Sequence, residues 1–334
     1  MLIGTVYKGR AIELIMKWLA STWELLQVRG WWFAAGIILC AAGMILLQKE
    51  SKKLFWPLVL GVLLPVCNFA AVPLAGALWY AGTPIGVIFA FLSAATLLNP
   101  SGILLAFAYM GTELAAAWIL GAVAVSLAAG IAGTYLLHPA ESSKTEQRMT
   151  ALARDFFVSI PKLAFWLVLG ILAQAFLQML MPEKLWNQIL LDAEGTSFLK
   201  IFTAGLFRHV CIPDDVPLAA SLVATGLRPG YAVLFLLAGV CTNLPELFVL
   251  YGVAGKQTTA VYLCITAAAG AAAAFLTQML IGADFTPLFN LANAETYTRI
   301  VNALSIRTWM PARMPCAIGL VLLAGWGMWK QRKS

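Results

Sequence analysis

The chain is a series of long apolar runs separated by short polar connections. Gly30 to Leu47 carries no charged side chain, and the runs Thr258 to Gly282 and Met314 to Trp329 are also uncharged. At about 1.5 Å per helical residue, runs of this kind approach the roughly 30 Å hydrocarbon core of a bilayer. They lack the polar–apolar alternation of membrane β-barrel strands. The pattern therefore predicts an all-α integral membrane protein.

The apolar pattern repeats along the chain at a constant offset, which is the separation of Cys67 and Cys211. Identical residue types recur in register over two segments that include matched Cys, Pro, Asn and Gly residues, which are informative in a sequence rich in Leu and Ala. The other matched positions include Val72-Pro73-Leu74-Ala75 with Val216-Pro217-Leu218-Ala219, and Asn99 with Asn243. We call two positions with this separation equivalent positions. The repeat predicts two homologous halves, which we expect to be inverted, with roughly eight to ten membrane segments in total.

Five regions follow from this organisation. The predicted order is an N-terminal amphipathic or partly inserted segment (1–29), membrane repeat 1 (30–137), a polar linker (138–156), membrane repeat 2 (157–282), and a polar connection followed by a last transmembrane helix and a basic tail (283–334).

Several apolar runs contain prolines and are not expected to form simple membrane-spanning helices. Proline removes a backbone donor, and a broken helix within the membrane needs protein or a water-filled cavity around the freed groups. We predict breaks at four places: Cys67–Pro73, Leu97–Ser101, Cys211–Pro217 and Cys241–Pro245. Their expected framework residues are Pro73, Pro100, Pro217 and Pro245. The alternatives are ordinary proline kinks and Asn side chains that hold neighbouring helices together.

Ionisable residues at membrane depth are expected to be functional. Asp214 and Asp215 are adjacent in the second half, where the first half has Ala70 and Ala71. The alternative is a loop in which both carboxylates are simply hydrated. The predicted substrate-binding set comprises Cys67, Asn99, His209, Cys211, Asp214, Asp215, Cys241, Asn243 and Glu246.

Composition supports a membrane protein and excludes several other classes. Hydrophobic residues make up 61% of the chain and charged residues 11%, whereas soluble domains carry about 25% charged residues. The net charge of +7 fits cytoplasmic loops and lipid headgroups, so no nucleic acid is expected as a partner. The sequence has neither a phosphate-binding loop nor an H-E-x-x-H motif, and we expect no cofactor.

The motifs together resemble those of the ArsP/YraQ-like permease family, predicted multi-span efflux permeases. The resemblance rests on Pro65-Val66-Cys67, Val72–Ala75 and Phe91–Pro100, then on Cys211 and Phe235–Leu250. It implies export, with members linked to trivalent organoarsenicals and, in a related branch, to metal cations such as copper and zinc. The resulting candidates for a metal site are Cys67, His209, Cys211 and Asp214.

The resulting hypothesis is a permease that exports a small inorganic or organometalloid substrate by ion-coupled alternating access, in a bacterial inner membrane. Asp214, Asp215 or Glu246 would carry a coupling proton, and replacing either aspartate by asparagine would then abolish coupled flux. Two alternatives stay open: an intramembrane enzyme that uses Asp214 and Asp215, and a membrane scaffold without transport activity. Substrate identity, transport direction, coupling ion and oligomeric state are not determined by the sequence.

Overall fold

A computed structural model describes residues 2–50, 68–80, 83–137, 149–180, 198–207, 211–241, 243–282, 285 and 310–331. In these residues the chain forms eleven helices and no strand. The helices are α1 (Leu2–Glu50), α2 (Asn68–Tyr80), α3 (Ile85–Leu97), α4 (Pro100–Leu136), α5 (Met149–Leu180), α6 (Phe198–Phe207), α7 (Ile212–Ala224), α8 (Pro229–Cys241), α9 (Leu244–Ala254), α10 (Lys256–Ile281) and α11 (Met310–Gln331).

Four of the described helices are long and apolar enough to cross a bilayer. They are Gly111–Leu136, Arg154–Met179, Lys256–Ile281 and Pro311–Gln331, and the number rises to six if two bent helix pairs each count as one span. The apolar runs predicted around Thr258 and Met314 coincide with the third and fourth of these. The prediction of an all-α integral membrane protein is therefore confirmed. The total of eight to ten segments and the inverted relationship of the halves stay predictions.

Two of the expected region boundaries fall within helices. Helix α1 continues through residues 29 and 30, where we expected repeat 1 to begin, and α5 begins at Met149 inside the predicted polar linker. Residues 138–148 of the linker lie outside the described part of the chain.

Two bent helix pairs lie where an asparagine is followed closely by a proline, at Asn99-Pro100 and at Asn243-Leu244-Pro245. Helix α3 meets the first arm of α4 at 44°, and α8 meets α9 at 41°. The first arm of α4 ends at Gly111, whose φ of 77° interrupts the helix, and Gly255, with a φ of 87°, separates α9 from α10. Gly111 and Gly255 are equivalent positions, as are the first residues of α2 and α7 and of α3 and α8. Glycine suits both positions because it adopts positive φ without a Cβ clash.

Close glycine contacts fix the packing of the first helix in each bent pair. A Cβ on Gly86 of α3 would clash with the carbonyl oxygen of Gly130 in α4. In the second half, a Cβ on Gly230 of α8 would lie 2.5 Å from the carbonyl oxygen of Ala274 in α10. The two contacts join equivalent positions in the two halves. Small residues at such positions let helix backbones approach closely in a membrane, where packing drives association.

The buried apolar residues form two cores, and each combines elements from both halves. One core joins the first arm of α4 with α7 and α8, and the other joins α9 with α2 and α3. Helices α1, α5 and α11 complete the second core. The site described below lies within the second core, where the first-half helices α2 and α3 meet α9.

The four prolines expected at helix breaks occupy two different kinds of position. Pro100 and Pro245 occupy the first turns of α4 and α9, where a missing N–H costs no helical hydrogen bond. Pro73 and Pro217, by contrast, lie inside α2 and α7. The second-half break therefore lies at Cys211, the first residue of the predicted range and the N-cap residue of α7, and not at Pro217. In the first half α2 begins directly after Cys67, a residue outside the described part of the chain.

Candidate functional site

The bends leave backbone groups at the helix ends without a partner inside their helix, and two asparagine side chains form hydrogen bonds there. The side chain of Asn99 accepts hydrogen bonds from the backbone N–H and the hydroxyl of Ser101, at the start of α4. At the start of α9, the amide of Asn243 donates to the carbonyl oxygen of Val240, 3.0 Å away. Both asparagines are buried. Asn99 is therefore a side-chain helix cap, and Asn243 fastens the end of α8 to the start of α9.

A buried polar cluster lies where α3, α8 and α10 meet. The hydroxyl groups of Ser93 and Tyr262 are 3.3 Å apart. The thiol of Cys241 is within hydrogen-bonding contact of Ser93, Thr96 and Tyr262. All four side chains are at most 1% exposed. The cluster joins α3 of the first half to α8 and α10 of the second half through polar contacts.

Beside this cluster is a small pocket that is open on one side. Helices α2, α3, α5 and α9 form its walls. The described lining residues are Val72, Ala75, Gly76, Trp79, Ile88, Leu92, Leu163, Glu246, Val249, Leu250, Val253 and Ala254. Glu246 is the single charged residue among them. The described lining is thus apolar apart from Glu246, whose two carboxylate oxygens are buried.

The helix break at Asn243 and Pro245 places Glu246 in the pocket wall. Asn243 caps α9, so Glu246 is the third residue of that helix and lies in its first turn. An acidic side chain there interacts favourably with the positive end of the helix dipole. Glu246 is 3% exposed, and it is close enough to Cys241 and Tyr262 to interact electrostatically with both. The pocket and the polar cluster are therefore neighbours.

Asp215, the other buried acidic residue predicted for the site, has a different environment. Its carboxylate accepts a hydrogen bond of 2.7 Å from the backbone N–H of Cys211, and its own N–H donates to the Cys211 carbonyl oxygen at 2.9 Å. Cys211 is the residue that caps α7. This reciprocal pair closes the first turn of the helix, and neither residue is among the described residues of the pocket wall.

Part of the predicted set lies beyond the described side chains. Cys67 and His209 fall outside the described residues, and Asp214 is described for its backbone alone. Among the side chains that are described, no group of three or more His, Cys, Asp and Glu residues could hold a metal ion. The candidate metal set of Cys67, His209, Cys211 and Asp214 therefore stays a prediction.

A second helix crossing is equivalent to the one that forms the pocket, but an apolar side chain fills it. It is formed by the first arm of α4 and by α7, whose first residues are equivalent to those of α9 and α2. Here Gly102 takes the position of Glu246, and a Cβ on Gly102 would clash with the side chain of Ile212. Ile212 is 1% exposed and belongs to the first core. At this crossing an apolar side chain fills the space beside the helix start.

A buried arginine near the start of α2 was not anticipated. The guanidinium carbon of Arg29 in α1 lies 4.8 Å from the centre of the Phe69 ring. Arg29 is 2% exposed, and this geometry is a cation–π contact. In the sequence this arginine is visible only as a single charged residue before "GWWFAAG". The first half therefore also has a buried charge near the start of α2, and α1 supplies it.

The sequence reasoning also missed Ser93, Thr96, Tyr262 and Trp79. Ser93, Thr96 and Asn99 follow one another at a spacing of three within "FLSAATLLNP", which places small polar groups on one face of α3. That spacing was available as a signal. Nothing in the sequence near Tyr262 or Trp79 indicates that these aromatic residues adjoin Cys241 and Glu246.

Comparison with known proteins identifies the type of chain. A family model described as ArsP_1, a predicted permease, matches residues 44–283, well over half of the sequence. No curated protein and no solved structure matches it. The matched segment includes both bent helix pairs, the pocket and the polar cluster.

Proposed function

The chain belongs to the ArsP_1 family of predicted permeases, and on this premise we propose that it exports a small substrate by ion-coupled alternating access. The substrate site lies between two pseudo-symmetric halves, which we propose to be inverted repeats. The family's designation and the apolar helices fit a membrane transporter. Metal and metalloid species are the first substrate classes to test, and a bacterial inner membrane is the proposed location.

One observation carries the proposal. Two bent helix pairs occur at equivalent positions in the two halves, and a pocket containing a buried carboxylate opens beside the second pair. Interrupted helices at matching positions in two halves are typical of the central sites of secondary transporters. Neither an enzyme nor a scaffold requires this arrangement.

Transport can be tested in inside-out membrane vesicles from cells with and without the protein. An imposed proton gradient should drive uptake of at least one compound from a panel of copper, zinc, arsenite, trivalent organoarsenicals and small organic cations. Uptake should need both the protein and the gradient. If every compound distributes equally in the two vesicle preparations, the transport proposal is wrong. Uptake that does not depend on the gradient would exclude ion coupling but would still support a permease.

The intramembrane enzyme has less support after the geometry of Asp215 is considered. Its carboxylate is engaged by the N–H of Cys211 within its own helix turn, so it contributes to a helix cap. A catalytic acid pair needs both carboxylates directed at a common substrate position. We therefore retain transport as the proposed function.

A further inference from the structure

Each bent helix pair contains a short helical arm that is interrupted at both ends. The arms are the first arm of α4, residues 100–110, and helix α9. An asparagine caps the start of each arm, and a glycine ends it: Gly111 has φ 77° and ψ 171°, and Gly255 has φ 87° and ψ 173°. Residues other than glycine are essentially excluded from this backbone conformation. Each arm is therefore a short rod whose two connections to the neighbouring helices lack regular helical geometry.

The helical segments on the two sides of each glycine pack against different partners. Helix α9 packs chiefly against α5, whereas α10, which follows Gly255, packs chiefly against α4 and α8. The first arm of α4 packs against α7, where Ile212 lies over Gly102, whereas the part of α4 after Gly111 packs closely against α3 and α10. The two glycines thus separate segments that belong to different packed groups of helices.

Helix α9 is held closely to α5 on one side and borders the pocket on the other. A Cβ on Gly170 of α5 would lie 2.5 Å from the Cα of Pro245, and a Cβ on Gly252 would clash with the indole of Trp166. The opposite pocket wall consists of residues from α2 and α3. Hinge motions carry closely packed helices together and change the gaps between packed groups. A pivot of α9 together with α5 would therefore change the width of the pocket.

We propose that the two arms are moving elements of the transporter, and that α9 pivots at Gly255 to open and close the pocket. The inference rests on the proposed transport function and specifies how access to its site changes. A hinge needs a few residues that absorb a large change in φ and ψ, and glycine does so at the lowest steric cost. The first arm of α4 pivots in the same way at Gly111. One arm now borders a pocket and the other lies in a filled crossing, which are the two arrangements between which a pivoting arm alternates.

Distances measured across the two joints test the pivot without a known substrate. Spin labels on Tyr251→Cys and on the native Cys264 report the position of α9 relative to α10. Labels on Phe107→Cys and Leu120→Cys report the equivalent distance in the first half. All four positions are exposed, and the two pairs are equivalent positions. The other native cysteines are replaced, and the distances are measured by double electron–electron resonance on the purified protein in lipid nanodiscs.

Alanine at a joint should shift the arm to its other position. Nothing lies within 4 Å of a Cβ added at Gly111 or Gly255, so the substitution changes the backbone preference and leaves the packing intact. Alanine disfavours positive φ, and Gly255→Ala should therefore shift the equilibrium between the arm positions by roughly tenfold or more. The Tyr251–Cys264 pair should then favour a second, discrete distance. Gly111→Ala with the first-half pair repeats the test independently.

The matched control is Gly282→Ala, at the end of α10. Gly282 has φ 79° and ψ 175°, and nothing lies within 4 Å of an added Cβ. Its N–H donates to the carbonyl oxygen of Gln278, as the N–H of Gly255 donates to that of Tyr251. Gly282→Ala should therefore carry a similar backbone penalty and leave the distances at both joints unchanged. Unchanged distances in monodisperse Gly255→Ala and Gly111→Ala overturn the inference, as does an equal change in Gly282→Ala.

The same variants in vesicles separate this inference from the transport proposal. If the unmodified protein transports none of the compounds in the panel, the proposed function fails, whatever the distances show. If it transports a compound, Gly255→Ala should slow the uptake of that compound by about tenfold, in line with the shifted equilibrium, and Gly282→Ala should transport normally. A shifted distance in Gly255→Ala with normal uptake would leave the function standing and would overturn the role of α9 in opening the pocket.

Discussion

The two helix crossings of this protein have matched helix positions and different contents. Where the first arm of α4 meets α7, Ile212 packs over Gly102 and the surrounding apolar side chains are buried. Where α9 meets α2, the position of Gly102 is taken by Glu246, and a pocket remains open. Changes of residue type at matched positions, Gly102 against Glu246 and Asn68 against Ile212, thus accompany the difference between a packed core and a candidate binding site.

The two buried acids at these crossings have different surroundings. Asp215 lies at the filled crossing and bonds with the backbone of Cys211 within one helix turn. Glu246 lies at the other crossing and belongs to the lining of the pocket. Exposure alone does not distinguish the two acids, because both are 3% exposed. What distinguishes them is that Asp215 bonds within its own helix turn, whereas Glu246 lies beside a pocket.

Truncating Ile212 should have the largest effect on stability. Ile212→Ala removes a side chain packed against Gly102 and leaves a cavity, which should lower the free energy of unfolding by about 3 kcal/mol. Thermal and denaturant unfolding in detergent would measure the loss. Leu120→Ala on α4 is the control, because the Leu120 side chain is 70% exposed and its truncation should change stability far less. Equal losses in the two variants would show that the crossing is not tightly packed.

Filling the pocket should reduce transport by about tenfold or more, because overpacking against a bound molecule costs roughly 1–3 kcal/mol. Gly76→Leu introduces a side chain into the wall formed by α2, next to Leu163. Vesicle uptake of a compound found in the transport screen provides the measurement. Gly325→Leu on α11 is matched, because nothing lies within 4 Å of the Cβ it adds. Unchanged uptake in Gly76→Leu would place the substrate elsewhere.

Removing the Asp215 cap should have the smallest effect. Asp215→Ala should cost about 1 kcal/mol of stability, as other lost helix caps do. Asp215→Asn keeps an acceptor oxygen and should cost less, and both variants should transport at the normal rate. This expectation differs from the sequence-based hypothesis, in which Asp215→Asn abolishes coupled flux. Flux that disappears in the asparagine variant at unchanged stability would return Asp215 to the transport site.

Much of the fold was predictable because its signals are local. The uncharged runs predicted membrane helices, and Asn99 with Pro100 and Asn243 with Pro245 indicated the places where the bent pairs occur. A proline disfavours the helical conformation in the residue before it and fits the first turn of the next helix. Pro73 and Pro217 were harder to interpret, because proline is also found inside short helices when neighbouring segments pack around it.

The candidate site was only partly predictable. Glu246 and Cys241 were named from their position beside the break, and they do lie near each other. Ser93 and Trp79 reach the same region from α3 and α2, which belong to the other half of the chain. Periodicity describes which face of a helix is apolar, but it does not describe which other helix covers that face.

By itself, the sequence determined that this protein is helical, membrane-embedded, broken at the Asn-Pro positions and a member of a permease family. These properties depend on run length, on the missing proline donor and on motifs that are contiguous in the chain. The tertiary structure decided which of the buried acids faces an open pocket. That choice depends on contacts such as the packing of Ile212 over Gly102, and such contacts form only when distant segments pack together.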